Sequence, residues 1–291
     1  MTATRAGGRA PLNRVPEVTA FFWTIKILAT TVGETAADMT ANHFGLTVGQ
    51  TALVMCVPLV VALAAQFSRR GYVAVPYWTG IVLISIVGTL ITDTLSDGYG
   101  VSLWVTTSLF SVALVATFCA WYLRERTLSI HTVITGRRES FYWLTVLFTF
   151  ALGTAGGDLL AEQVGLGYFP SALLFAVAIA LIWAAHLRAE LGAVAAFWAA
   201  YVLTRPLGAS IGDFLSQPRH IGGLGLGTVA TSVLFLSSIL ALVTYLAVSK
   251  VDRTERAALH VVEAEECPSC AVHLAAKTVV CVECGWLAEA A

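Results

Sequence analysis

Four stretches of this chain repeat one pattern: a Trp, a Gly ten residues on, and an Asp five further. They are Trp23/Gly33/Asp38, Trp78/Gly88/Asp93, Trp143/Gly153/Asp158 and Trp198/Gly208/Asp213. The Trp residues are spaced 55, 65 and 55 apart, so units one and two recur as units three and four after 120 residues. All four copies lie in strongly apolar sequence. An acid inside a membrane is costly and usually functional, so four at equivalent positions point to one symmetric polar site within a bundle.

The chain has 291 residues, 57% of them hydrophobic and 12% charged, with a mean hydropathy of +0.79. A soluble domain carries about 25% charged residues, so the composition is that of an integral membrane protein. Apolar runs long enough to cross a hydrocarbon core of about 30 Å fall near 20–41, 47–67, 76–95, 101–123, 141–161, 166–187, 193–215 and 225–249, predicting eight helices. Residues 1–20 are basic and rich in Pro and Gly, without the apolar core and cleavage site of a signal peptide. Of the 17 Lys and Arg residues, 14 fall on one side of the predicted bundle, from Arg5, Arg9 and Arg14 to Lys250, Arg253, Arg256 and Lys277. Basic residues stay inside, which places both termini in the cytoplasm.

Two spans per unit make each unit a helical hairpin and set successive units parallel. The expected fold is thus an all-α integral membrane bundle of eight helices in four parallel hairpin repeats, with a small zinc-ribbon-like module at the C-terminus. Its parts are a cytoplasmic N-terminus (1–17), a transmembrane domain (18–249, repeats about 18–70, 73–125, 138–190 and 193–249), a linker (250–262) and the module (263–291).

Within the motif, small residues follow each Gly by four positions (Gly33/Ala37, Gly88/Thr92, Gly153/Gly157, Gly208/Gly212), the spacing that lets helix backbones approach in lipid. The Trp residues read as anchors at the membrane interface. The Asp, 15 residues beyond the Trp, stands about 22 Å further along the helix, near the extracytoplasmic turn. A carboxylate there opposes the helix dipole, so simple helix ending does not account for it. A local alternative has each Asp bonding backbone donors of the next turn, where Gly45, Gly100 and Gly165 each come seven residues later. The residues after the glycines are Glu34, Thr89, Thr154 and Ala209, on the same side.

Two cations lie inside the predicted spans, Lys26 in the first and Arg205 in the seventh, next to Pro206, which is expected to kink that helix. Pseudo-symmetric packing brings Glu34 within reach of Arg205, and burying either charge alone is costly. Glu34, Asp38, Asp93, Asp158 and Asp213 outnumber Lys26 and Arg205 by three. Such an interior favours cations, and carboxylate oxygens suit protons or hard divalent ions.

After the last span come Cys267-Pro-Ser-Cys270 and Cys281-Val-Glu-Cys284-Gly. Two Cys-x2-Cys knuckles point four thiolates at one tetrahedral ion, a structural zinc set, and the metal supplies most of the stability of so short a segment. Cys56 and Cys119 read as packing residues. There is no His pair at metal spacing, no phosphate-binding Gly loop and no nucleophile motif, so neither catalysis nor nucleic-acid binding is expected.

The recurrent Trp, Gly and Asp over residues 15–249, and in particular Phe22-Trp23-Thr24-Ile25-Lys26 and Val32-Gly33-Glu34-Thr35-Ala36-Ala37-Asp38, resemble a bacterial family of membrane-anchored proteins with four tandem two-helix repeats of unknown function. The resemblance implies this fold and a location in the cell's inner membrane, and carries no activity. From the residues, the first expectation is a transporter or channel-like protein for a small cation, with the four Asp residues lining a polar path, Glu34 coupling and Arg205 as counter-charge. The competing expectation is a membrane anchor or adaptor acting through its zinc tail on a cytoplasmic partner.

Overall fold

Long apolar runs in lipid must satisfy their own backbone hydrogen bonds, which favours the α-helix. The computed structural model describes residues 13–43, 45–188 and 191–253. Eight long helices occur in them: α1 (Ala20–His43), α2 (Val48–Phe67), α3 (Ala74–Asp93), α4 (Leu103–Glu125), α5 (Gly136–Asp158), α6 (Tyr168–Leu187), α7 (Ala193–Ser216) and α8 (Thr228–Ser249). Local chemistry sets several ends. Thr47 and Gln50 form a reciprocal capping box at the start of α2. The left-handed turns after the motif acids use Gly45, Gly100 and Gly165 at φ 61°, 68° and 76°, a conformation that glycine adopts without steric cost. α7 continues unbroken through Pro206.

Seven of these helices are long and apolar enough to cross a membrane. The eighth, α1, has 24 residues but carries Lys26, Glu34 and Asp38. Its position explains how those charges are tolerated. α1 and α5 each pack against both α3 and α7, closing a ring of the four odd helices. The even helices lie outside, each against the odd helix of the next unit: α2 on α3, α4 on α5, α6 on α7, and α8 back on α1. The two helices of a unit touch little, so each hairpin is open and packs on its neighbours. Lipid tails offer no hydrophobic drive for a hairpin to close on itself, so shape decides the partners.

Burial follows this plan. The apolar windows of α3, α5 and α7 are 56–67% buried, against 17–28% for the even helices. The latter turn Leu53, Val57, Val60, Val112 and Leu240 outward, where lipid would cover them.

The motif glycines are the points where the ring closes. A Cβ on Gly33 would strike Ser85, on Gly88 Phe150, on Gly153 Arg205, and on Gly208 Thr30. Each struck residue stands three positions before the next helix's own glycine, so one contact recurs four times around the ring. The motif Trp residues take a different place from the one predicted. Trp78, Trp143 and Trp198 are buried in the core and not set at an interface. They pack with Phe22, Tyr77, Tyr142 and Tyr201, because a ring built on glycine contacts leaves width at this end that large side chains fill.

The same end carries residues 13–19 and 250–253 and is called the terminal end below. The segment before α1 is sewn across it. The Arg14 N–H donates to the Val133 carbonyl (3.0 Å), Tyr72 N–H to Asn13 (2.9 Å) and Glu17 N–H to Asp252 (3.0 Å). Arg14 pairs with the buried carboxylate of Glu139, which also accepts from Gln66 Nε2 at 3.1 Å. Tyr72 donates its hydroxyl to Asp252 and accepts from Trp78 Nε1 at 3.1 Å. Burial pushes both the Tyr72 phenol and the Asp252 carboxyl above their ordinary ranges.

Candidate functional site

Residues four apart drift only about 40° around a helix, so each odd helix can present one stripe to the ring's axis. On α1 the stripe is Phe22, Lys26, Thr30, Glu34, Asp38; on α3 it is Tyr77, Ile81, Ser85, Thr89, Asp93. On α5 it is Tyr142, Val146, Phe150, Thr154, Asp158, and on α7 Phe197, Tyr201, Arg205, Ala209, Asp213. The three middle positions of every stripe are buried. The axis therefore reads as layers, from aromatic at the terminal end through a charged middle to acidic at the other.

Arg205 organises the middle. Its NH1 donates to the Thr30 carbonyl at 3.0 Å. Its NH2 donates to Glu34 Oε2 at 3.1 Å, to Thr154 Oγ1 at 2.8 Å and to Thr89. The Thr89 and Thr154 hydroxyls lie 3.3 Å apart. The fourth member of the Glu34 layer is Ala209, and the space it leaves lets Arg205 rise one turn to meet Glu34. Unit four thus supplies a cation where the other units supply an acid or hydroxyls. A guanidinium held by a carboxylate, a carbonyl and two hydroxyls has most of its donors satisfied, which is what burial of such a pair requires.

Above this layer the motif acids converge. Glu34, Asp158 and Asp213, from three different helices, can each offer an oxygen with all three within 4.8 Å of one another. Asp93 lies within electrostatic range of Glu34, Asp158 and Asp38, and Asp38 within range of Glu34. The five acids singled out in the sequence therefore share one locus, and Arg205 joins it. Lys26 does not: it lies two turns deeper, between the rings of Tyr201 and Phe150.

Sequence reasoning missed Asp97 and Glu162, which lie within range of Asp38 at the exposed acidic end. Each follows a motif acid by four residues, so extending the stripe one step would have found them. It also left Thr89 and Thr154 without a role, and passed over the buried phenols Tyr77, Tyr142 and Tyr201. In units two and three the helix widens into a π-turn directly after the motif acid, Thr94–Gly98 and Leu159–Gln163; such turns are frequent at functional sites. The four tail cysteines, Cys267, Cys270, Cys281 and Cys284, lie outside the described residues.

Eight helices in four repeats, seven of them apolar enough to span a bilayer, around a buried polar axis define a multi-pass helical membrane protein. The chain belongs to the family described as Repeat of Unknown Function (DUF347), whose model matches residues 21–72, 76–127, 141–191 and 196–252. Comparison with curated proteins and with solved structures gives no match.

Proposed function

We propose that the protein is a transporter for a small hard cation in the cell membrane, binding it among Glu34, Asp158 and Asp213. One observation carries this reading: three carboxylates from α1, α5 and α7 within 4.8 Å of one another. Oxygen ligands bind Ca²⁺ at about 2.3–2.6 Å, and opposite ligands then stand about 5 Å apart, so a calcium-sized divalent ion fits this spacing. Mg²⁺, at about 2.0–2.1 Å, needs the helices to draw in. Asp38, Asp93, Asp97 and Glu162 supply a negative approach that concentrates cations. The aromatic layers and the sewn terminal end close the other side, so release there requires a second arrangement of the ring and not an open pore. With both termini cytoplasmic, the acidic mouth faces outward. The residues are assigned no catalytic step.

Ion uptake by proteoliposomes tests the site. Asp158→Asn with Asp213→Asn should cut uptake of Mn²⁺ or Ca²⁺ at least tenfold. The variant should also melt no lower than wild type, because two mutually repelling acids are gone. Uptake unchanged in that variant would end the proposal. The tail is proposed as a separate zinc module on Cys267, Cys270, Cys281 and Cys284. Removing residues 263–291 should abolish bound zinc and leave uptake intact. If uptake disappears with the tail instead, the adaptor reading gains and the bundle is its anchor.

A further inference from the structure

Two turns below the acids sits a charge that the cation site does not use. Lys26 is fully buried, and its Nζ has no hydrogen-bond acceptor among the described residues. It lies 3.8 Å from the ring centre of Tyr201 and 4.4 Å from that of Phe150. Ring faces attract an ammonium, but they accept no proper hydrogen bond from it. α7 brings the Tyr201 ring against it and the like-charged Arg205 within electrostatic range, and one position further toward the terminal end the stripes of α3 and α5 carry Tyr77 and Tyr142. On α1 itself Glu34 is two turns on and already held by Arg205 at 3.1 Å, and α8 has no charged residue. Among the described residues Lys26 is thus an amine on the axis of the ring without a counter-ion at contact distance.

Toward the terminal end it faces phenols. The hydroxyls of Tyr77 and Tyr142 are 2.5 Å apart and buried. Tyr201 is their electrostatic neighbour, its hydroxyl close to that of Tyr142. Beyond them Tyr72, 5.4 Å ring to ring from Tyr77, is bonded to Asp252 at the terminal end. Packing alone would be served equally by Phe, as at Phe22 and Phe197 in the same layer as Tyr77 and Tyr142.

We propose that Lys26 exchanges a proton with the terminal end through Tyr201, Tyr142 and Tyr77, so that the bundle trades a proton for its cation. The trade rests on the cation reading above; the exchange at Lys26 does not. In the step, the Lys26 ammonium swings from the Tyr201 ring face to its oxygen and gives it one proton as Tyr201 passes its own to Tyr142 and Tyr142 to Tyr77. Water entering from the terminal end takes one from Tyr77, and rotation of the hydroxyls resets the file. No electrons move, and the core loses one positive charge as the acids above gain a cation.

The full-length protein in detergent, free of metal ions, is titrated between pH 6 and 9. Wild type should release one more proton per chain than Lys26→Met or Lys26→Arg; the arginine variant keeps the charge and the ring contacts but cannot give up its proton. After a pH jump, Tyr142→Phe should release the same number at least tenfold more slowly. Equal proton counts in wild type and Lys26→Arg overturn the exchange, and an unchanged rate in Tyr142→Phe overturns the route. MnCl₂ added at fixed pH should then expel a proton from wild type but not from Lys26→Arg. Mn²⁺ bound without proton release overturns the trade. Failure to bind Mn²⁺ at all strikes the cation reading and with it the trade, while the titration still decides the exchange.

Discussion

The acidic end of the ring and the terminal end are built from the same four helices, yet they meet the same burial problem with opposite chemistry. At the terminal end every buried acid has a designated partner: Glu139 holds Arg14 and Gln66, and Asp252 holds Tyr72. Aromatic rings fill the width between helices. At the acidic end one cation, Arg205, answers one of five converging acids. The first arrangement is a closed structural seam. The second leaves four of its acids without an ion pair among the described residues, the arrangement that the proposed cation would complete. Between the two lie the glycine contacts, alike in all four units. The comparison shows that the repeat conserves packing geometry while letting each unit vary its chemistry.

The largest test breaks what both ends share. Gly208→Leu drives a side chain into Thr30 and toward the Thr31 backbone, and should abolish the monodisperse folded species in size-exclusion chromatography. A folded variant would show that the ring is held elsewhere. Next, Arg205→Met acts on the acidic half by stranding Glu34, and should cost about 3–5 kcal/mol in reversible unfolding. Pairing it with Glu34→Gln should recover most of that; no recovery would mean that Arg205 matters for its other hydrogen bonds.

Arg14→Ala leaves buried Glu139 with Gln66 alone and should cost about 1–3 kcal/mol. It should leave cation uptake alone, and a matching fall in uptake would join the two ends into one functional unit. The smallest effect concerns pH. Burial raises the Asp252 carboxyl, so the folded state favours its protonated form. Its contribution is present below the unfolded value of about 4 and is lost as pH rises through the higher folded value. Asp252→Asn should flatten that part of the stability curve measured across acid to neutral pH, and an unchanged slope would assign it to another group.

Much of this was legible in the residues. The eight helices, the fourfold repeat, the closeness demanded by Gly33, Gly88, Gly153 and Gly208, and the reach of Arg205 to Glu34 all follow from spacing and the cost of buried charge. Trp78, Trp143 and Trp198 were misread because an amphipathic ring near a helix end suits an interface and a wide core equally well. Lys26 could be counted among the charges but not placed, since nothing local separates a paired lysine from one lying between two aromatic faces. Asp97 and Glu162 looked like loop residues because the π-turns that keep them near the stripe leave no mark in hydropathy.

Period and composition alone determined that this chain spans a membrane as four parallel units with an acid at matching depth on each odd helix, because helix rise and lipid thickness are fixed quantities. Only the tertiary structure decided which helices touch: the odd ones as a closed ring, each even one on its neighbour's unit. Lateral contact in lipid depends on the fit of surfaces brought together from distant parts of the chain, and no local window of sequence contains that fit.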